Sequence, residues 1–197
     1  MLNRTTVIVF WTAAVLALGA AAAAQAPGTA ERFTFVAANA STTGQTADNR
    51  LQIVINQWST DAERDRLLSV LKADGPDKLA EAFRYGTAAG YIHWPGKLQY
   101  TIRFAHRAPR ADGGEDVILA TDYPVSVWWD PALGAPPTSF GHGTLIQLRL
   151  DQDGRGEGKL SVGTKLGAAS DGSLFALEDY AGQPAVLTDV RREGRAT

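Results

Sequence analysis

Cysteine is absent from the 197 residues. That excludes disulfides, thiolate metal sites, cysteine nucleophiles and a lipid anchor on an N-terminal cysteine. A domain without covalent staples stands on its hydrophobic core alone, and about 170 residues is enough to bury one. Positive charge is not in excess either: 19 Lys+Arg stand against 21 Asp+Glu. Phosphate backbones call for a basic surface, so nucleic acid is excluded as a partner. The one basic cluster, Arg191, Arg192 and Arg195, reads as a solvated tail over 191–197. Neither a G-x-x-x-x-G-K-[ST] loop nor a strand-to-helix G-x-G-x-x-G occurs, and there is no G-x-S-x-G elbow. The chain therefore carries no nucleotide fingerprint and implies no cofactor.

Long apolar runs are lacking except at the start. Arg4 is the only charge before a stretch from Val7 to Ala24 that begins bulky and fades to alanine. A positive start, an apolar middle and the small-residue end Ala22-Ala23-Ala24 predict a signal peptide over 1–24, cut before Gln25. An uncleaved anchor is the alternative, since about 18 apolar residues can cross a bilayer. Cleavage leaves no stable membrane span and places the protein outside the cytoplasm, in a periplasm or beyond the cell. Residues 25–31 read as a linker and 32–190 as a single domain.

Within that domain the hydrophobic period changes along the chain. Arg32 to Ala38 and Leu51 to Gln57 read as strands, with a polar loop between them that holds the sequon Asn39-Ala40-Ser41. Thr60 and Glu63 form a capping-box pattern ahead of a helix whose buried side is Leu67, Leu68 and Leu71. Gly75 stops that helix and Pro76 opens a second, with Leu79, Ala80 and Phe83 as its apolar stripe. From Gly90 the period is two. Leu98, Tyr100, Ile102 and Phe104 alternate with polar neighbours, and His106 is in phase with them. Further strands are expected at Asp116–Ala120, Val125–Trp129, Thr144–Leu150, Lys159–Val162, Ser173–Leu177 and Ala185–Val190. The fold class is α+β: a curved antiparallel sheet of about nine strands, barrel-like or a sandwich, with one inserted helical hairpin.

Candidate chemistry is sparse. His93, His106 and His142 have no metal-ligand spacing, and no metal is expected. Asp151-Gln152-Asp153-Gly154 fails as a calcium loop because Arg155 occupies a ligand position; it reads as a turn. Asp122 and Asp130 flank the tryptophans and read as solvated turn residues rather than as an acid–base pair. Trp128 and Trp129 lie beside a Pro/Gly-rich loop running to Gly141, and Tyr91, Trp94 and Tyr100 share one hairpin. These five aromatics are the candidate ligand-binding residues, because aromatic rims beside such loops suit a ligand mouth; core packing is their other reading.

Three segments carry a resemblance: Ile55–Glu63 (INQWSTDAE), Leu119–Ser126 (LATDYPVS) and Asp153–Leu160 (DGRGEGKL). They resemble those of a group of uncharacterised secreted bacterial proteins. The resemblance implies a bacterial, exported protein and carries no activity. The functional expectation is a non-enzymatic exported domain that binds a small apolar or amphipathic ligand or an envelope protein. The alternatives are an envelope hydrolase with a carboxylate/histidine site, and a structural envelope component. N-terminal sequencing of the protein recovered from its host should begin at Gln25; an intact Met1 would establish the anchor instead.

Overall fold

The computed structural model describes residues 30–38, 50–93, 99–123, 125, 143–162, 165–168, 175–179 and 185–193. The expected leader, the sequon, all of the expected strand Val125–Trp129 beyond Val125, and the loop from Asp130 to Gly141 lie outside the described residues. The elements are β1 (Glu31–Ala38), β2 (Leu51–Ile55), α1 (Asp61–Asp74), α2 (Pro76–Arg84), β3 (Gly90–His93), β4 (Gln99–Pro109) and β5 (Glu115–Thr121). They continue with β6 (Thr144–Leu150), β7 (Arg155–Val162), β8 (Lys165–Ala168), β9 (Phe175–Asp179) and β10 (Ala185–Glu193).

Eight strands close a barrel in the order β1-β10-β7-β6-β5-β4-β3-β2, every pair antiparallel. The expected count of about nine strands is corrected: eight form the wall, and β8 and β9 make a separate pair. Around the ring each strand neighbours the next in sequence, with the β8–β9 pair as an excursion between β7 and β10. The helical hairpin is inserted between β2 and β3, as expected. The Thr60 hydroxyl accepts the Glu63 amide at 3.1 Å and opens α1. Gly75, at φ +83°, ends it in a conformation that side chains resist, and Pro76 starts α2 directly.

Two cores result. One fills the barrel: Phe33, Phe35, Ile53, Ile55, Ile92, Ile102, Val117, Leu119, Ile146, Leu148 and Leu187 are among its side chains. The other lies outside the wall, where Leu67, Leu68, Leu71, Leu79 and Phe83 of the helices meet Phe104, Ile118, Ala120 and Leu145 of β4, β5 and β6. β8 runs against both helices. Elsewhere the outer face is charged and exposed, with Arg32, Arg149, Arg155, Glu157, Lys159, Arg191 and Glu193. A barrel with an apolar inside and a charged outside is the reverse of one that faces lipid. Among the described residues no helix is long and apolar enough to cross a membrane.

A bulge decides which residues of β4 face inward. Ile102 pairs with Thr121 and Phe104 with Ala120, so Arg103 is an extra residue. Before it, Tyr100 and Ile102 face the interior; after it, Ala105 and Arg107 do, and Phe104 and His106 turn outward beneath the helices. The expected single stripe from Tyr100 to His106 is thus split between two cores. β10 carries a second bulge: Leu187 pairs with Gly158 and Val190 with Gly156, with Asp189 at φ +50° between them. It carries β10 on to Glu193, so Arg191 and Arg192 belong to the wall and not to the expected tail. Likewise Glu31 belongs to β1 and not to the linker. β7 starts at Arg155, ahead of the expected strand Lys159–Val162. Its glycine Gly158 is a packing position, where an added Cβ would sit 2.7 Å from Leu148 and 3.3 Å from Leu187.

The Arg103 bulge is held by its own side chain. Nε donates to Asp122 at 2.8 Å and Nη1 to the Gly86 carbonyl at 3.2 Å, tying β4 to the end of β5 and to the turn after α2. The Asp122 side chain is only 4% exposed, which corrects its reading as a solvated turn residue. Arg103→Ala should therefore cost about 3 kcal/mol, because it strands a buried carboxylate. A urea midpoint within experimental error of the wild type would show that the bulge stands without this pair.

Candidate functional site

The two ends of the barrel differ. At one end four charged side chains turn inward. Glu31 shares the face of Ile55, Arg107 that of Val117, Glu115 that of Leu150 and Arg192 that of Phe33. The Glu31 carboxylate accepts from Trp58 Nε1 at 3.0 Å and from Arg107 Nη1 at 3.1 Å, and its other oxygen lies 3.5 Å from Arg192 Nε. Arg192 also pairs with Glu115. The Trp58 indole packs edge-on against Phe33 at 6.4 Å and lies under the Arg107 guanidinium at 4.9 Å. Charges inside a low-dielectric barrel are tolerable only when paired and hydrogen-bonded. Here each acid meets a base, and the cluster closes that end.

At the other end the inner face carries Ala37, Leu51, Ile92, Tyr100, Leu160 and Ala185. Most of these are buried, whereas Tyr100 and Ala185 are half-buried and pack on the barrel core from its rim. Thr121 and Thr144 also face inward here and satisfy each other. The Thr144 amide donates to Thr121 Oγ1 at 2.9 Å, and the Val125 amide to Thr144 Oγ1 at 2.7 Å.

The expected aromatic site is divided by this geometry. Tyr100 lies opposite Ile92 and faces the interior. Tyr91 lies opposite Val54 and Thr101 and so faces the other way. Trp94, Trp128 and Trp129 lie outside the described residues. Sequence reasoning missed Glu31, Trp58, Arg107 and Arg192. For the two arginines the alternation of their own strands pointed outward, because the bulges that turn them in leave no local signal.

A further cluster of titratable groups is built around His106. His106 is buried on the outer wall, stacked on Phe104, with Nε2 3.0 Å from Asp61 Oδ1 at the start of α1. Arg64 Nη1 donates to the same oxygen at 2.7 Å. The histidine was expected to point inward with its stripe; the bulge places it under the helix instead. An aspartate that orients a histidine is half of a catalytic dyad, but the other nitrogen must then reach a substrate or a nucleophile. Here Nδ1 is buried and has no partner among the described residues. Ser69 and Lys72 stand at the S-x-x-K spacing on α1, which is a motif of some serine enzymes. The Ser69 hydroxyl donates back to the Asp65 carbonyl at 2.8 Å, an ordinary use inside a helix. Asp122 is taken by Arg103, while Asp130 and His142 lie outside the described residues. Among the described residues no three His, Asp or Glu gather as a metal site.

No family model, curated protein or solved structure matches the chain.

Two outcomes follow from these clusters. Glu31→Ala should lower stability by about 1–2 kcal/mol, since it removes the acceptor of the Trp58 indole N–H and the partner of the part-exposed Arg107, while Arg192 keeps Glu115; thermal or urea unfolding measures it. The hydrogen bond from His106, aided by Arg64, holds the Asp61 carboxyl below its ordinary value of 3.8. A lowered carboxyl pKa contributes stability that is present above the ordinary value and lost as pH falls through the folded one. Asp61→Asn should therefore flatten the fall in stability below about pH 4. An unchanged acid profile would show that the tie does not contribute.

Proposed function

We infer that this is an exported bacterial protein whose barrel holds a small apolar or amphipathic ligand. The observation that carries the reading is the asymmetry of the closed eight-stranded wall. Its interior is apolar, one end is cross-braced by paired charges, and the other has half-buried Tyr100 and Ala185 at its rim. Barrels of eight strands have an interior that side chains fill or that holds one small ligand. Export is supported by the leader pattern and by the resemblance to secreted bacterial proteins.

An enzymatic reading finds less support. The aspartate–histidine contact seen among the described residues has its other ring nitrogen buried, and it sits on the outer wall under a helix, away from the barrel interior. The braced end offers no substrate a free charge.

Native mass spectrometry of the protein purified from its own host tests the reading. The expected result is a small-molecule adduct that disappears on denaturation. Adding the recovered molecule back at about 100 times its Kd should stabilise the protein by about 2.7 kcal/mol. A clean ligand-free mass, together with no thermal shift from a panel of apolar compounds, would overturn ligand binding.

A further inference from the structure

The wall and the layer outside it are built separately. β2 pairs directly with β3 from Gln52–His93 to Ile55–Gly90, and β7 pairs directly with β10. The helical hairpin leaves the ring between the first pair, and the β8–β9 excursion between the second. The ring of rungs is complete without either insertion. The two meet outside it, where β8 packs against both helices. Their apolar clusters are distinct as well. The inner core draws on all eight wall strands, whereas the outer one joins five apolar side chains of the helices, from Leu67 to Phe83, to a stripe of Phe104, Ile118, Ala120 and Leu145. Among the described residues none belongs to both clusters.

The hairpin is fixed to the wall at its roots. At the entry the Ser59 amide donates to the Ala105 carbonyl at 2.6 Å, and the Ser59 hydroxyl accepts from the Ala105 amide at 3.3 Å. At the exit the Gly86 carbonyl accepts from Arg103 Nη1 at 3.2 Å. Both roots therefore sit on β4 at its bulge, one on either side of Phe104. Just past the entry, His106 bonds Asp61 in the first turn of α1. At the far end Gly75 stands in open space, with nothing within 4 Å of where a Cβ would lie. Helices of 14 and 9 residues are too short to persist alone in water, so the hairpin borrows its order from the stripe beneath it. An element held at two roots over a small apolar contact, beside a wall that closes without it, is the kind of unit that opens below the free energy of global unfolding.

We propose that the hairpin, with β8 packed on it, is a strap that lifts from the wall as one unit on its roots at Ser59 and Gly86 while the barrel stays closed, and that the Asp61–His106 contact is its latch. Opening bares Phe104, Ile118, Ala120 and Leu145 and uncovers His106, all of them buried when the strap is down. The protein thus has a surface that is covered and uncovered without unfolding, whatever the barrel holds.

The lack of cysteine allows a direct test, because a single introduced thiol is the only one to react. Two variants of the full-length protein place it on opposite faces of β5: Ala120→Cys under the strap and Val117→Cys in the barrel interior. Each is labelled in native buffer and in low urea with a small aromatic disulfide reagent. Ala120→Cys is expected to react about ten-fold faster or more, with a rate that rises little with urea, while Val117→Cys follows global unfolding. Adding Asp61→Ala to Ala120→Cys should speed labelling about two- to five-fold. No change there would overturn the latch. Equal rates and equal urea slopes for the two thiols would overturn the strap itself. If a cysteine variant fails to fold, amide hydrogen exchange of the unaltered protein decides instead. A shallower urea dependence for α1 and α2 than for β5 and β6 supports the strap, and one shared dependence overturns it.

Discussion

The extra residue at Arg103 is the constraint on which the rest of the molecule depends. A strand alternates strictly, so an apolar stripe along β4 belongs to one side of a sheet. One inserted residue reverses that phase midway. Tyr100 and Ile102 fill the barrel, while Phe104 and His106 emerge on its outer wall as a landing for α1 and α2. Without the reversal, the helical hairpin would meet a polar wall and the interior would lose Arg107. The Asp189 bulge does the same for β10 on the opposite side of the ring, and it brings Arg192 inward. Two phase reversals therefore deliver the two cations that Glu31 binds. Each is held by an ion pair of its own, Arg103 with Asp122 and Asp189 with Arg50.

How much of this was legible follows from the range of the signals. The helical hairpin was readable residue by residue, because capping, glycine termination and a proline start all act within one turn of helix. Most strands were readable for the same reason, and the antiparallel class followed from their short links. What could not be read depends on partners far away in sequence. A bulge is defined by the strand opposite, so nothing around Arg103 or Asp189 announces it. Gly158 fell outside the expected strand Lys159–Val162 because a glycine in a strand is meaningful only once Leu148 and Leu187 are seen to fill its place. Asp122 looked solvated because its partner lies 19 positions away. Tyr91 and Tyr100 looked like one aromatic group until pairing with β2 put them on opposite faces.

The distribution of polar groups separates structural from functional roles. Arg107, Arg192, Glu31 and Glu115 are spent on one another, and Asp61, Arg64 and His106 tie α1 to the wall. These groups are engaged with one another, although Asp61 and Arg107 stay open to solvent. At the other end the described inner face is apolar, with Tyr100 and Ala185 half-buried at its rim. The absence of cysteine places the whole burden of stability on this packing and on the closure of the wall.

That closure joins the first strand of the described domain to its last. β1 lies between β2 and β10, so the ring cannot complete until Glu193 has been synthesised. Pairing partners more than 150 positions apart make the final contact one of high sequence separation, the kind that slows folding. During that interval the chain has neither a closed core nor a sealed edge. Until β10 arrives, β1 therefore presents an open strand edge, the kind that invites pairing with another chain.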